Sequence, residues 1–437
     1  MKKALIVIFI IAAVSSCKKD DKKAFDKSPD ERLTETLAAY QAQLSGAQNG
    51  WKGFITTDSG RGSTYSFYFK FNDANRVVML SDFDSLSAVT PKESSYRLKA
   101  LQQPSLLFDT YSYLHVLSDP DETVNGGTRG AGLLGDFEFY FDSVSTDTIK
   151  LVGRFNGSKM IFIRATQAEE EAYNSGALAG GLYINKILTY FKRLTIGSDL
   201  YDVRIDPVTR TFTFSWLDTN GSLQTFTTGY YFIPGGIIFT KPLTNGSQVI
   251  PGFDNITWNQ ATGKLNVTVG SSSATITGIV LPLKLDVGAP ARWWNYAVNN
   301  GNTYWFSING FHVNGVDDAF DVTSLVSSGF PYYYYIYYPD FGNGNDLFAP
   351  IFLDVAGNQV TLEYGSAPAT PDFTGDGRAI FTELGVYPPF PTSGPVVESG
   401  NLLYNPSGFY FVQTGATSYD MVSAADGKAW ISWQLAQ

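Results

Sequence analysis

The chain has 437 residues, with 41 acidic against 31 basic side chains, two histidines and one cysteine. The acidic balance argues against a nucleic-acid binder, which presents a basic face, and one cysteine cannot build a disulfide framework or a cysteine-ligated metal site. Aromatic residues make up 15% of the sequence and glycines number 42, a composition suited to many short strands joined by turns.

The first sixteen residues have the parts of a signal peptide. Lys2 and Lys3 form a basic start, Ala4 to Val14 an eleven-residue apolar run, and small residues precede Cys17. A bilayer core needs roughly twenty apolar residues, so this run is too short to span one. Val14-Ser15-Ser16-Cys17 resembles a bacterial lipobox, and acylation explains the lone cysteine, since each buried methylene of an acyl chain adds about 0.8 kcal/mol of membrane affinity. Residues 17–27, with the charged run Lys18 to Lys23, then form a lipidated cysteine and solvated tether. The acidic pair in that run resembles the export signal of surface lipoproteins in Bacteroidota-type bacteria. Without the leader, 29 basic residues face 41 acidic ones, a net charge near −12. The expected location is the outer membrane, lipid-anchored and exposed at the cell surface.

A first folded unit is expected over 28–165. Ser28-Pro29-Asp30-Glu31 is a capping box with proline at the first helical position, and Leu33, Leu37, Tyr40 and Leu44 recur at helical spacing. From Trp51 the period changes to two, with strands at 64–71 and 76–83 around a turn at 72–75, and a three-strand meander ends the unit. A second unit, 166–288, repeats the order. Thr166-Gln167-Ala168-Glu169 is another capping box, opening a helical region to about Leu194, broken at Gly180-Gly181, before a new run of strands. The repetition suggests a diverged internal duplication. Residues 285–294 look like a linker into a third part, 289–437, strand-like throughout with no helix beyond a turn or two near Trp293. The expected fold is mainly β: antiparallel meanders or sandwich-like sheets, a capped helix heading each of two N-terminal units, and a β-rich aromatic C-terminal domain.

Chemistry-bearing motifs are sparse. His115 and His312 are far apart and outside any H-E-x-x-H pattern, and there is no G-x-S-x-G elbow and no Walker loop. Acid clusters at Asp119, Asp121 and Glu122, at Asp317, Asp318 and Asp321, and at Asp340 and Asp346 supply candidate carboxylate pairs for glycoside hydrolysis. The segments 340–346 and 372–377 faintly resemble calcium loops but lack the spacing of an EF-hand, and turn chemistry accounts for them better. No metal and no cofactor is expected. The most unusual stretch is "PYYYYIYYP", 331–339. As a strand it places Tyr332, Tyr334 and Tyr338 on one face and Tyr333, Tyr335 and Tyr337 on the other. A tyrosine ring with its polar tip suits sugar stacking or a protein interface. Trp293, Trp294, Tyr332, Tyr334 and Tyr338 are therefore the candidate ligand-binding residues, beside the alternative that all of them are core.

The stretches "AFDKSPDERL", "YSFYFKF", "RVVMLSDF", "PSLLFDTYSYLHVLSDP", "INGFHVNGVDDAF" and "YDMVSAADGKAWISW" together resemble the domain-of-unknown-function family 4302, lipoproteins of Bacteroidota-type bacteria. The likeness runs from about Ala24 to the C-terminus. It implies a β-rich fold and supplies no catalytic residue. The expected function is a non-catalytic surface lipoprotein that binds a glycan or peptide beside outer-membrane uptake proteins, with no nucleic-acid partner. The alternatives are a glycan-directed hydrolase using a carboxylate pair, and a structural envelope protein that docks a partner through its aromatic face.

Overall fold

A computed structural model describes residues 27–57, 62–207, 209–301 and 303–436; the leader, Cys17 and most of the tether lie outside them. The chain is mainly β and its sheets are antiparallel, as the alternating patterns predict. It divides into two compact units. Of the described residues, the first takes in those up to Gly53, Tyr68–Met79 and Lys92–Thr166; the second takes in those within Phe54–Phe67, Leu80–Pro91 and from Gln167 on.

Helix α1 (Pro29–Ser45) is capped as its sequence dictates: the Ser28 hydroxyl accepts from the Glu31 amide at 3.2 Å, and the Glu31 carboxylate accepts from the Ser28 amide at 2.8 Å. Eight strands follow and close into a barrel in sequence order: β1 (Trp51–Thr56), β2 (Thr64–Phe71), β3 (Arg76–Ser81), β4 (Lys92–Ala100), β5 (Pro104–Phe108), β6 (Glu138–Val144), β7 (Thr148–Gly153) and β8 (Lys159–Arg164). In β7 and β8 buried and more exposed positions alternate, which turns one face of each strand inward.

Helix α2 (Gln167–Asn174) heads a second closed barrel of β9 (Phe191–Ile196), β10 (Asp199–Asp206), β11 (Thr211–Leu217), β12 (Leu223–Ile233), β13 (Gly236–Asn245), β14 (Gln248–Asn259), β15 (Lys264–Val269) and β16 (Ser272–Ile279). β16 returns to pair with β9, Thr275 opposite Thr195, so no edge is left open. Helical backbone ends at Lys186, and Phe191–Leu194 belong to β9, which corrects the expected helical run to Leu194. The break falls where Gly181 meets the barrel: a β-carbon there would stand 2.7 Å from the Gly236 carbonyl oxygen.

Within the second unit a buried ion pair joins Asp82, just past β3, to Arg210, which enters β11. Arg210 Nη1 donates to Asp82 Oδ2 at 2.6 Å and to the Thr64 carbonyl at 3.1 Å, while its guanidinium lies 3.9 Å from the Tyr65 ring centre. The Ser66 amide donates to the same Asp82 oxygen, and Thr64–Phe69 is buried at every position.

The C-terminal part opens with α3 (Ala289–Asn299), a full eleven-residue helix where only a turn or two was expected. Its 13-stranded sheet runs β24 (Asp372–Phe373), β25 (Arg378–Ile380), β27 (Phe409–Gly415), β28 (Ser418–Ser423), β29 (Ala429–Leu435), β17 (Trp305–Ser307), β20 (Phe330–Gly342), β21 (Asn345–Asp354), β23 (Gly365–Pro368) and β26 (Glu383–Tyr387). Short strands β18 (His312–Val313), β19 (Val326–Ser327) and β22 (Gln359–Thr361) pair with β29, β20 and β21. A second helix, α4 (Pro395–Leu403), is also present. Trp293 of α3 and Leu403 of α4 enter one aromatic core on the inner face of this sheet, with Trp305, Tyr335, Tyr337, Phe348, Phe411 and Trp433.

Candidate functional site

The tyrosine strand β20 sorts the five candidate residues into two groups, and the division differs from simple alternation. Tyr335 and Tyr337 point into the inner core, Tyr334 and Tyr338 to the opposite, outer face. A bulge between Tyr332 and Tyr334 shifts the register, so Tyr332 pairs with Phe352 and packs on the inner side instead. Its hydroxyl donates to the Ile308 carbonyl at 3.0 Å. Trp293 has no exposed surface and stacks on Trp305 at 5.8 Å. Trp294 also packs on the inner core, and its Nε1 donates to Asp346 Oδ2 at 2.8 Å. Trp293 is therefore corrected from a ligand-binding candidate to part of the core, with no ring face left for a ligand, while Trp294 and Tyr332 are half-buried against that core with their polar tips tied.

Tyr334 and Tyr338 remain, and the fold assembles rings around them that the sequence pattern alone had not grouped. Buried Ile336, Leu347, Ala349 and Ile351 form the floor, and half-buried Tyr304, Phe306, Tyr334, Tyr338 and Tyr387 lie against it. The Tyr304 and Tyr334 hydroxyls are 2.8 Å apart and their rings stack at 6.1 Å. Tyr338 meets Tyr304 at 5.6 Å and Phe341 at 5.3 Å. Tyr333, the bulged residue, is 47% exposed and its ring lies 4.7 Å from that of Tyr334. No residue of α3 or α4 belongs to this outer cluster among the described residues. Loss of solvent, then the Tyr304 hydroxyl, pushes the Tyr334 phenol well above its ordinary pKa.

Phe306 sits 5.5 Å from Tyr334 and also lines a cleft of about 250 Å³, which continues the same outer face onto β29. Along β29, Ile431 and Trp433 point inward, while Trp430, Ser432 and Gln434 line the cleft. His312 stacks on Trp430 at 3.7 Å, and its Nδ1 is 2.5 Å from Asp317 Oδ1. That hydrogen bond holds the Asp317 carboxyl below the usual carboxylate range. The side chains of Asn309, Ser432 and Gln434 make no hydrogen bond to other described residues, so their polar ends are available in the cleft. The signal that could have revealed Phe306 and Trp430 was alternation within "YWFSING" and "AWISWQL", where large residues fall on both faces.

The acid clusters are mostly employed in turns. Asp318 accepts from the Val322 amide at 2.8 Å and from the Thr323 amide and hydroxyl at 3.0 and 2.7 Å. Asp321 accepts from Ser324, and Asp121 caps the turn at Thr123. Asp346 is buried, holding Trp294, Tyr337 and the Asp340 amide, and loss of solvent raises its pKa. His115 lies between the Tyr111 and Phe137 rings, its two nitrogens within 3.2 Å of the Ser112 amide and the Phe108 carbonyl. Among the described residues no group of three or more His, Cys, Asp or Glu side chains is arranged to hold a metal.

With this geometry in view, comparison with known proteins defines the class. Residues 21–260, more than half of the chain, match the family described as Domain of unknown function (DUF4302), and the protein belongs to that family. The match covers the first barrel and all of the second up to β14, and stops short of the C-terminal sheet, whereas the resemblance read from the sequence runs to the C-terminus. No curated protein matches the sequence. Among solved structures, a DNA polymerase III subunit beta (DnaN) sliding clamp from Bartonella birtlesii aligns at 8% identity over 93% of this chain and 97% of that one, with a TM-score of 0.14. The isotype 1 transferrin binding protein B of serogroup B Neisseria meningitidis aligns at 10% identity over 88% and 75%, with a TM-score of 0.15. Scores this low carry no argument.

Proposed function

We propose that the protein is a non-catalytic glycan-binding lipoprotein of the outer-membrane surface, anchored through Cys17 and acting beside outer-membrane uptake proteins. The observation that carries the binding role is the outer face of the C-terminal sheet, where a half-buried aromatic platform, with no helix over it among the described residues, runs into a polar cleft. Sugar rings offer apolar C–H faces and a rim of hydroxyls. Tyr304, Tyr334, Tyr338 and Phe306 supply flat rings for the first, and Asp317, His312, Asn309, Ser432 and Gln434 supply hydrogen-bonding groups for the second. Binding is favoured over hydrolysis because Asp318, Asp321 and Asp346 are bound up in turn and core contacts. The anchor and location rest on the leader and lipobox in the sequence alone.

The test is a panel of plant and host polysaccharides and peptide mixtures offered to the mature chain from Lys18, with product release followed in the same samples. Retention by a polysaccharide without turnover, lost in Tyr334→Ala, is the expected result. Turnover of any panel member would move the reading to a hydrolase; retention of peptides alone would move it to a peptide binder.

A further inference from the structure

We propose that a second cleft, outside the aromatic platform, binds a small organic carboxylate with an apolar body. This cleft, of about 530 Å³, is lined by strands of the second barrel, the 282–286 segment and the end of β27. Its apolar wall includes Phe191, Leu223, Leu285 and Val412. Four charged side chains line it: Asp202, Arg204, Lys284 and Asp286.

The two acids are already neutralised from outside the wall. Arg193 grips Asp202 with Nε and Nη2 at 2.9 and 2.8 Å, and Arg292 grips Asp286 through both terminal nitrogens. The two cations have no such grip. Lys284 makes no hydrogen bond or contact ion pair with other described residues, and Asp218 acts on it only through space. Arg204 meets the hydroxyl of Tyr190, which itself donates to Asp420 at 2.6 Å, and among the described residues no carboxylate pairs with Arg204 directly. The cleft thus keeps two cations without a contacting carboxylate beside apolar walls. Ser215 and Thr225, opposite each other on β11 and β12, add hydroxyls to the same lining. A monoanion with a hydrocarbon body meets both halves of this lining, its carboxylate between Arg204 and Lys284 and its body on Phe191 and Leu285.

Tyr190 forms one wall of this cleft and contacts Trp430 of the platform cleft at 5.5 Å, yet the two linings share no residue. Occupancy of one can therefore be measured independently of the other.

The experiment is calorimetric titration of the mature chain with 3-phenylpropionate and hexanoate, each beside its neutral amide. The acids are expected to compete with each other, and the amides to bind at least about tenfold more weakly, which corresponds to about 1.4 kcal/mol. Lys284→Met should weaken both acids by a similar factor and Lys284→Arg should restore them, with near-UV circular dichroism unchanged and polysaccharide retention unaffected. Equal binding of acid and amide, no binding of either acid, or an unchanged affinity in Lys284→Met would overturn the proposal. None of those outcomes touches the glycan reading, which fails only on the polysaccharide panel.

Discussion

The second barrel and the C-terminal sheet are built from the same kind of residues and put them to different use. In the barrel β16 pairs with β9, and the interior is filled by Phe212, Phe214, Tyr230, Phe239 and Phe253, whose rings pack 4.9 to 6.2 Å apart in such contacts as Phe212–Phe214 and Phe212–Tyr230. Closure satisfies every strand edge and leaves one apolar face, turned inward. The C-terminal sheet stays open. Its inner face is sealed by α3 and α4 around Trp293, while its outer face keeps Tyr304, Phe306, Tyr334 and Tyr338 half-buried. Aromatic content alone therefore says little about binding. What distinguishes a core ring from a contact ring is whether another element of the chain covers it.

The sharpest way to break this comparison is to cut each core. Trp293→Ala removes a fully buried indole and should cost about 3–5 kcal/mol, read as a lowered denaturant midpoint of the C-terminal part. Arg210→Met should be of comparable size, about 3–5 kcal/mol, because Asp82 is left buried without its partner. A Trp293→Ala protein of unchanged stability would contradict the assignment of that ring to the core.

The barrel also predicts a pH effect. Lys192 on β9 is half-buried, its ammonium donating to the Thr189 carbonyl at 2.6 Å, and loss of solvent lowers its pKa to about 8. The unfolded chain, with an ordinary lysine near 10.5, holds a proton in the window where the folded chain has released it. Stability should therefore rise with pH between 8 and 10, by on the order of 2 kcal/mol, and Lys192→Met should flatten that rise.

On the open face the effects are smaller for stability and larger for binding. Tyr334→Ala should weaken glycan binding about tenfold, or about 1.4 kcal/mol, and Tyr333→Ala less. The smallest expected effect is at Asp286, exposed and paired with Arg292, whose hydrogen bond and charge depress its pKa. Its contribution is present above the ordinary carboxylate value and lost as pH falls below about 4. Asp286→Asn should change stability by roughly 0.2–1 kcal/mol at neutral pH.

The sequence makes some of this legible and hides the rest for identifiable reasons. Period-two patterns expose the strands because one face of each is buried, and the Ser28 capping box marks α1 because its two reciprocal hydrogen bonds are local. α4, in "PVVESGNLL", escapes because proline, glycine and valine are weak helix formers whose helical state comes from packing of Val396 and Leu403. The candidate site was half legible. The run "PYYYYIYYP" points to the right strand, but its bulge moves Tyr332 to the inner face, and no local pattern announces a bulge. Phe306, His312 and Trp430 join the site through β17, β18 and β29, pairings set by the whole sheet.

The measurement that bears most directly on the open face is hydrogen exchange of the mature chain with and without the polysaccharide it retains. Protection confined to 304–312, 332–338 and 430–434 is the predicted result. Protection confined to the barrels, or to the α3 side of the sheet, would contradict it.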